Sequence, residues 1–462
     1  MKKIVFILSL FSCCISFYAN TPNDMQIWLK NGEQEHFNIS QVDSITFSMA
    51  QQQEDDLLNK NTMPPTFAKP NPLLVNEQEL NYIKSTNEFG VKCFSIMRKP
   101  GEKGGSRPIH FFSPVSLNIA LGFCANGATP KGAKEITNAL GFQSDNALEE
   151  MNDFFKKIYL SINSGVDSIE IHTANALWIN KNTKAYRNFV ETATEKYYAT
   201  VRKLDFTGDP EGALDTINHW AALMTNDCIK ELNINISRDT RLVINNACYF
   251  KGNWVTEFTP IGEAPFHGIN DSVKSTDFMT INNKTLKYSE TDMYQAVKLD
   301  YGAKSNKPSG SAGDFSSDNN AYSMIVVLPK SGHDIGEIWD SVKWDSISFR
   351  QMEGKLYMPK FKSDGGYELE TKVLPQLGIQ DIFGSYPNAV MDPSIYISQV
   401  RQDFFINVDE KGTEAAAVTS IVGDWGTAMP TFNMICDHPF AFVIRENSTG
   451  LILFMGEYDF VP

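Results

Sequence analysis

Residues 409–420 read Asp-Glu-Lys-Gly-Thr-Glu-Ala-Ala-Ala-Val-Thr-Ser and follow a strand-like run that ends at Val408. The β-branched residues at the end of this stretch, and the glycines after it, disfavour a helix. Small side chains on one face would suit a strand that slides between two strands already in contact. An exposed loop or the start of an alanine-rich helix are the simpler interpretations. Counted by two, four small residues share one face of an extended chain: Thr413, Ala415, Ala417 and Thr419.

The rest of the chain offers no chemistry of its own. It lacks the G-x-S-x-G, H-E-x-x-H, Walker and G-x-G-x-x-G motifs, and its seven histidines show no metal-ligand spacing. The formal charge of −14, with a pI near 5.1 and no basic cluster, argues against a nucleic-acid partner. The sequence therefore predicts a protein that is not an enzyme and that has no metal, no cofactor and no nucleic-acid ligand.

The N-terminus resembles a bacterial export signal. Lys2 and Lys3 precede an apolar run over residues 4–11, which is too short to span a membrane as a mature helix. Residues 10–13 resemble a loose lipobox in which Cys13 would be acylated, whereas Phe17 is too bulky for ordinary signal peptidase. We expect an exported lipoprotein of the cell surface or periplasmic side, with plain secretion and an uncleaved anchor as alternatives.

The remaining chain divides by composition. Residues 1–19 form the predicted signal, and residues 20–48 form a small β-hairpin module with Asn31-Gly32 at its turn. Residues 49–75 are rich in Gln, Asn, Pro and charge and predict a flexible linker, and residues 76–462 form one mixed α and β domain. The five cysteines after Cys14 are scattered and form no C-x-x-C pair, so we interpret them as buried small hydrophobic residues.

Within the large domain, residues 76–97 have helical spacing, and residues 116–140 predict two helical pieces broken near residues 127–130. Thr129 and Pro130 fit an N-cap followed by proline at the first helical position. Residues 302–320 predict an inserted flexible loop. Six strands are predicted: 241–250, 322–329, 355–361, 403–408, 440–445 and 451–455.

Residues 410–417 resemble the hinge of inhibitory serpins. Further stretches match the same family in the family's order, and together they cover about residues 79–462. The resemblance implies a mixed α/β fold of the α+β type with three β-sheets, about nine helices and an exposed reactive-centre loop near the C-terminus. The other matching stretches are Phe112–Ser116, Ala174–Trp178, Ile217–Trp220, Asn246–Trp254, Val273–Met279, Asp437–Phe440 and Leu453–Gly456.

The resemblance also implies a mechanism. A protease cuts the loop and becomes esterified to it, and the cut loop then inserts into the central sheet as a new strand. Gly412 would act as a pivot, since glycine permits dihedral angles that other residues resist, and Thr413 would enter first. The implied hinge residues are Glu410, Gly412, Thr413, Glu414, Ala415, Ala416, Ala417 and Thr419.

A second implied region, the shutter, controls the opening of the sheet. Family members commonly carry a histidine eight residues before the position of Glu410, and this chain has Gln402 there. Glutamine can hydrogen-bond but gains no proton near pH 7. We therefore expect little pH dependence of opening. The shutter residues are Ser113, Ser116, Asn246 and Gln402.

The scissile bond follows from the resemblance only approximately. Counting from the hinge places it after Gly426, and counting back from residues 438–440 places it after Ala428. No Arg or Lys occurs from residue 412 to 437, which disfavours trypsin-like targets and leaves elastase-, subtilisin-, chymotrypsin- and papain-like endopeptidases open. Trp425 would suit a chymotrypsin-like pocket. The candidates on either side of the bond are Trp425, Gly426, Thr427, Ala428 and Met429.

The first choice of function is a suicide-type protease inhibitor that acts as a monomer and touches membranes only through a lipid anchor. The acidic balance argues against a polyanionic cofactor. A non-inhibitory carrier or partner-binding protein on the same fold is the main alternative. An enzyme of undetected type and a structural surface protein are the others.

Overall fold

The computed structural model describes five short strands between residues 2 and 49 and most of the chain from residue 72 onward. The chain divides into two compact units, residues 1–60 and 61–462. After residue 71 the described ranges are 72–98, 109–163, 169–232, 234–269, 272–302, 321–384, 387, 397, 400–413 and 431–459. The predicted loop over 303–320 lies outside them.

The first unit contains strands in its described part. An antiparallel pair, in register from Asp24 opposite Asn38 to Trp28 opposite Gln34, occupies the segment predicted to be a hairpin. A parallel pair joins residues 2–8 to residues 42–49, so one of its strands lies within the predicted signal segment. The boundaries of the signal, hairpin module and linker stay predictions. The strands are β1 Lys2–Leu8, β2 Phe17–Tyr18, β3 Asp24–Trp28, β4 Gln34–Asn38 and β5 Val42–Met49.

The second unit contains eight α-helices in the part of the chain that is described, compared with the nine or so that the resemblance implies. The first of them confirms the helix predicted over 76–97, and the next two confirm the two pieces predicted over 116–140. The helices are α1 Glu77–Met97, α2 Pro114–Ala125, α3 Pro130–Ala139, α4 Ala147–Ile162, α5 Arg187–Glu195, α6 Pro210–Met224, α7 Ile335–Ser341 and α8 Val373–Gln376.

Helix α3 begins as its sequence predicts. Thr129 is the N-cap, with its hydroxyl accepting the Gly132 N–H at 3.0 Å, and Pro130 occupies the first turn, where its missing N–H leaves nothing unbonded. The Thr129 hydroxyl also donates to Asp381, and this contact ties the start of the helix to the turn after α8.

The strands of the second unit confirm most of the predicted runs to within a few residues. The exception is the single strand predicted over 355–361. One strand ends at Pro359 and the next begins at Phe361, because Lys360 turns the chain and donates its N–H to Asp277 O at 2.8 Å. The strands are β6 Ile109–Phe112, β7 Ile169–Asn180, β8 Thr200–Leu204, β9 Leu242–Asn253, β10 Thr259–His267, β11 Val273–Glu290, β12 Tyr294–Tyr301, β13 Tyr322–Pro329, β14 Arg350–Pro359, β15 Phe361–Glu368, β16 Arg401–Val408, β17 Gly412–Thr413, β18 Thr431–Ile435, β19 Phe440–Glu446 and β20 Ile452–Tyr458.

These strands form a six-stranded sheet in the order β15-β16-β17-β9-β7-β8 and a nine-stranded sheet in the order β18-β14-β11-β12-β13-β19-β20-β6, with β10 beside β11. The resemblance implies three sheets. The described part of the second unit has two sheets, because β11 is long enough to belong to two halves of one sheet. It pairs with β10 at its start and with β12 at its end, with an irregularity between Asn282 and Lys284.

Helix α2 joins the two sheets. All of its residues are buried, and its N-cap, Ser113, contacts a strand of each sheet. The Ser113 N–H donates to the Gln402 side chain of β16 at 2.7 Å, and the Ser113 hydroxyl donates to Leu453 O of β20 at 2.7 Å. A fully buried helix has no face in contact with water, which explains why its sequence is mostly apolar.

We predict that Thr129→Ala lowers the free energy of unfolding by about 1 kcal/mol, because the N-cap bond to Gly132 is lost. Guanidinium unfolding followed by circular dichroism measures this. Thr194→Ala is the control, since Thr194 lies inside α5 and bonds only to carbonyls of its own helix. Equal losses in the two variants would contradict the capping role.

Candidate functional site: hinge, sheet opening and shutter

The hinge residues form a tight hairpin at the end of β16. The chain reverses after Val408, and β17 returns antiparallel to β16 with Val408 opposite Thr413. On its other side β17 pairs with β9, with Gly412 opposite Asn253 and Thr413 opposite Gly252. The first hinge residues therefore already occupy a strand position inside the six-stranded sheet.

Away from this hairpin the same two strands contact each other directly. β9 and β16 are parallel neighbours at Gln402 opposite Asn246 and at Asp403 opposite Ala247. The six-stranded sheet is thus parted by β17 at one end and closed at the shutter.

Asp409 holds the hairpin in shape. Its carboxylate Oδ1 accepts the N–H groups of Lys411 at 2.9 Å and Gly412 at 3.3 Å, and its own N–H donates to Gly412 O at 2.9 Å. An aspartate that bonds the backbone two residues onward is a common turn device. The local sequence from Asp409 to Gly412 therefore favours this turn.

Gly412 is needed for space. A Cβ on this residue would lie 2.0 Å from Gly252 O and 2.8 Å from Asn253 Cα, both backbone atoms of β9. Gly412 is not one of the glycines with positive φ, so in this arrangement the predicted pivot role does not rest on an unusual dihedral angle. Close approach of two backbones is the physical reason for glycine here.

Glu410 faces away from the sheet opening toward β15. Its carboxylate lies 3.0 Å from Lys360 Nζ, and its carbonyl accepts the Phe258 N–H at 2.7 Å. The hydrogen bond to Glu410 raises the pKa of Lys360, so this lysine stays charged throughout the neutral range. The pair anchors the hairpin from outside the sheet.

Trp254 anchors the hairpin from below. Its indole Nε1 donates to Asp409 O at 3.0 Å, and its N–H donates to Lys411 O at 2.6 Å. The sequence alone did not point to Trp254, to Lys360, or to Tyr301, whose hydroxyl lies 3.0 Å from that of Thr413. Each comes from a distant part of the chain, whereas Asp409 could have been found from its position three residues before a glycine.

The four shutter residues lie together at the closed part of the sheet. The Gln402 side chain bonds twice to the main chain of Ser113, accepting the N–H at 2.7 Å and donating to the carbonyl at 2.9 Å. The Ser116 hydroxyl donates to Asn246 Oδ1, and Asn246 Nδ2 donates to Asn175 Oδ1 at 3.0 Å. Gln402 thus fastens β16 to the start of α2, while Asn246 fastens β9 to the same helix.

Cys248 also contacts the shutter. Its thiol lies 3.6 Å from the hydroxyls of both Ser113 and Thr173, and burial raises its pKa. Among the described cysteines Cys248 is buried, as are Cys93, Cys124 and Cys436, while Cys228 is partly exposed. The described shutter contacts are amides, hydroxyls and this neutral thiol.

The remaining predicted site residues lie outside the described residues. They are the hinge residues Glu414, Ala415, Ala416, Ala417 and Thr419, and the scissile-bond candidates Trp425, Gly426, Thr427, Ala428 and Met429. Their roles stay predictions. In the described ranges no cluster of His, Cys, Asp and Glu is arranged to hold a metal ion. None of the helices described has the length and apolar character needed to cross a bilayer.

Comparison with known proteins assigns the fold and the family. The model of the Serpin (serine protease inhibitor) family matches residues 84–459. An uncharacterized serpin-like protein of Methanosarcina acetivorans is 31% identical over 392 residues, covering 81% of this chain and 87% of that protein. Iripin-1 of Ixodes ricinus is 29% identical over 81% of this chain and 93% of its own length. The chain belongs to the serpin family, whose members are mostly protease inhibitors rather than enzymes.

Solved structures agree with this fold. The thermophilic serpin tengpin in its native state aligns with a TM-score of 0.71 at 23% identity, covering 86% of this chain and 97% of tengpin. A thyroxine-binding globulin complex with thyroxine aligns with a TM-score of 0.68 at 23% identity, covering 82% of this chain and 98% of that one. The mixed α/β fold expected from the sequence is confirmed.

We predict that the rate of sheet opening, followed as conversion to latent or polymeric protein at raised temperature, changes less than about twofold between pH 5 and 8, because Gln402 does not titrate. In Gln402→His the rate should rise as the pH falls below about 6.5, since an imidazolium cannot accept the Ser113 N–H. A strong pH dependence of the unaltered protein would contradict this assignment.

We predict that Gly412→Ala expels β17 from the sheet, because the added methyl group overlaps β9 backbone. Amide hydrogen exchange in a peptide covering residues 409–413 should accelerate by more than about tenfold. Gly384→Ala is the matched control, since its Cβ would meet only Asp381 O at an ordinary 3.6 Å. Unchanged exchange in Gly412→Ala would show that the pairing with β9 is absent in solution.

Proposed function

We propose that this serpin is a suicide-type inhibitor that traps serine endopeptidases as covalent acyl-enzymes. Cysteine endopeptidases form a second class of targets in this proposal. The protease cuts the loop between Trp425 and Met429 and is held as an ester to the new C-terminus. The loop then continues the strand that Gly412 and Thr413 have begun, and it carries the protease with it. About 14 residues at roughly 3.3 Å each correspond to about 45 Å of inserted strand.

The observation that carries this proposal is the position of β17 between β9 and β16. Its pairs with both neighbours are formed, while the same two strands contact each other at Gln402 and Asn246. Inhibition by insertion needs a sheet that can part along one seam and a strand with its first residues in that seam. The described hinge meets both needs.

Insertion is favoured by the backbone groups of the loop. An exposed loop bonds to water, whereas a strand between β9 and β16 gains two hydrogen-bonded neighbours and burial of the face that carries Thr413. The residues on the face of Thr413 are small, so they can pass between strands without a steric clash. Cleavage removes the tether that holds the loop extended. The loop then inserts, and the free energy of forming these hydrogen bonds and of this burial is released.

The target is an endopeptidase that accepts an uncharged residue before the cut. The absence of Arg and Lys from residue 412 to 437 supports elastase-, subtilisin-, chymotrypsin- or papain-like enzymes over trypsin-like ones. The N-terminal sequence supports export as a lipoprotein or a secreted monomer, with residues 49–75 as a tether between anchor and inhibitor.

A non-inhibitory carrier is the second candidate, and one observation favours it. An open cleft of about 710 Å³ lies between α1 and residues 339–345, with Trp339 and Trp344 in its lining. Thyroxine-binding globulin, which has the same fold, has been solved as a complex with thyroxine. A carrier needs a cavity and does not need a hinge of small residues, so the composition of residues 412–419 favours inhibition.

We predict that mixing the protein with pancreatic elastase, chymotrypsin, subtilisin or papain produces inhibition of at least one of these proteases. With a serine protease the product should be an adduct stable to SDS, and sequencing the released C-terminal peptide identifies the scissile bond. Papain would form a less durable thioester, so its residual activity is the measurement. The cleaved inhibitor should unfold at a higher temperature than the intact one.

Thr413→Arg provides the sharpest variant, because it places a large charged side chain on the face that must enter the sheet. We expect the adduct to disappear and the variant to be cut as a substrate. Leu223→Arg is the control, since Leu223 is an exposed residue of α6 that belongs to neither the hinge nor the shutter. Cleavage without inhibition by the unaltered protein would reject the inhibitor and favour the carrier.

A further inference from the structure

One buried hydrogen bond ties the hinge to the other sheet. The hydroxyl groups of Tyr301 and Thr413 lie 3.0 Å apart, and the two residues are 0% and 2% exposed. Tyr301 is the last residue of β12 in the nine-stranded sheet, whereas Thr413 is the last described residue of the hinge. This bond therefore joins a side chain of the entering strand to a side chain of the nine-stranded sheet.

The Tyr301 ring is held in place on three sides. The indole of Trp254 stacks on it with centroids 4.3 Å apart, and the ring of Phe250 meets it edge-on at 5.0 Å. It also lies against Gly252, where a Cβ would come within 2.8 Å of Tyr301 Cδ1. Gly252 is the residue opposite Thr413, so the ring reaches the hinge only because residue 252 has no side chain.

Both hydroxyls depend on each other for a partner. A buried polar group without a hydrogen bond is unfavourable, and the penalty falls on whichever hydroxyl is left alone. Burial raises the pKa of Tyr301, so its hydroxyl stays neutral and keeps its proton. Threonine satisfies this bond at residue 413, whereas valine of nearly the same shape does not.

Lys411 acts in the opposite direction. Its side chain is 5% exposed, and its Nζ has no hydrogen-bond partner among the described residues. Burying an amine with three unused donors opposes the inserted hairpin. Other contacts of the hinge therefore outweigh the unfavourable free energy of burying Lys411. The Tyr301 bond is one of these contacts, and it depends on which residue occupies position 413.

We propose that the Tyr301 hydroxyl is a positioning group that selects Thr413 and fixes the register in which the loop enters between β9 and β16. Side chains alternate along a strand, so a slip of one residue would bring the Glu414 carboxylate to the buried position now held by Thr413. The same slip would turn Thr413, Ala415, Ala417 and Thr419 to the opposite face. This inference rests on the proposed inhibitory function, in which correct entry decides whether a protease is trapped or released.

The test compares Tyr301→Phe, Thr413→Val and the double variant in the protease mixtures described above. The ratio of cleaved inhibitor to trapped complex should rise about fivefold in each single variant, as for loss of one ordinary hydrogen bond. The double variant should show no larger rise than either single variant, because both changes remove the same bond and together leave no buried hydroxyl without a partner. Thr413→Ser keeps a hydroxyl and should retain the ratio of the unaltered protein.

Tyr288→Phe is the matched control. Tyr288 is a buried tyrosine of β11 whose hydroxyl bonds to Gln295 and Glu290, away from the hinge. The Tyr288→Phe variant should have lower thermal stability but an unchanged ratio of cleaved inhibitor to trapped complex. If Tyr301→Phe fails to fold, Thr413→Val carries the test alone.

An unchanged ratio in Thr413→Val, or two single effects that simply multiply in the double variant, would overturn the proposal. If the unaltered protein traps no protease, the proposed function fails by itself. The register inference is then decided by amide exchange over residues 409–413. It should accelerate about fivefold in Tyr301→Phe and Thr413→Val and stay unchanged in Thr413→Ser, and equal exchange in all three would reject it.

Discussion

A strand position in a sheet can be filled only once, and this constraint governs the molecule. β9 and β16 either pair with each other, as at Asn246 and Gln402, or pair with a strand between them, as at Gly412 and Thr413. Both arrangements are present in one sheet, at different heights along the same two strands. Everything described around the hinge and the shutter sets where the change from one to the other occurs.

The two ends of the seam are held by different kinds of contact. At the hinge, steric and aromatic contacts add to the hydrogen bonds: a glycine that admits close backbones, and a tyrosine fixed between Trp254 and Phe250. At the shutter they are amide and hydroxyl hydrogen bonds that converge on the start of α2. Hydrogen bonds of this kind can be exchanged for those of an arriving strand, whereas the hinge contacts favour a particular first residue.

Local sequence predicted local structure well. Thr129 and Pro130 mark the start of α3, and the strand predicted over 322–329 has the same bounds in the structure. The resemblance groups Gln402 with Ser113 in the shutter, and the two residues are hydrogen-bonded. Contacts between distant segments were not predictable from one sequence. Tyr301 and Lys360 meet the hinge only through the fold, and no spacing in the chain announces either of them. The single strand predicted over 355–361 was wrong because apolar patterning continues through Lys360, where the chain changes sheets.

Ser113 bonds to Gln402 on one side and to Leu453 on the other, so one residue belongs to the polar network of both sheets. If β16 moves away from β9, the Ser113 amide loses its partner in the interior unless β16 returns. An encounter that parts the sheet without delivering a strand is thus drawn back to the closed form. In the proposed inhibitory mechanism the shutter would therefore close again after a transient opening. Only an inserted segment that stays between β9 and β16 would keep it open.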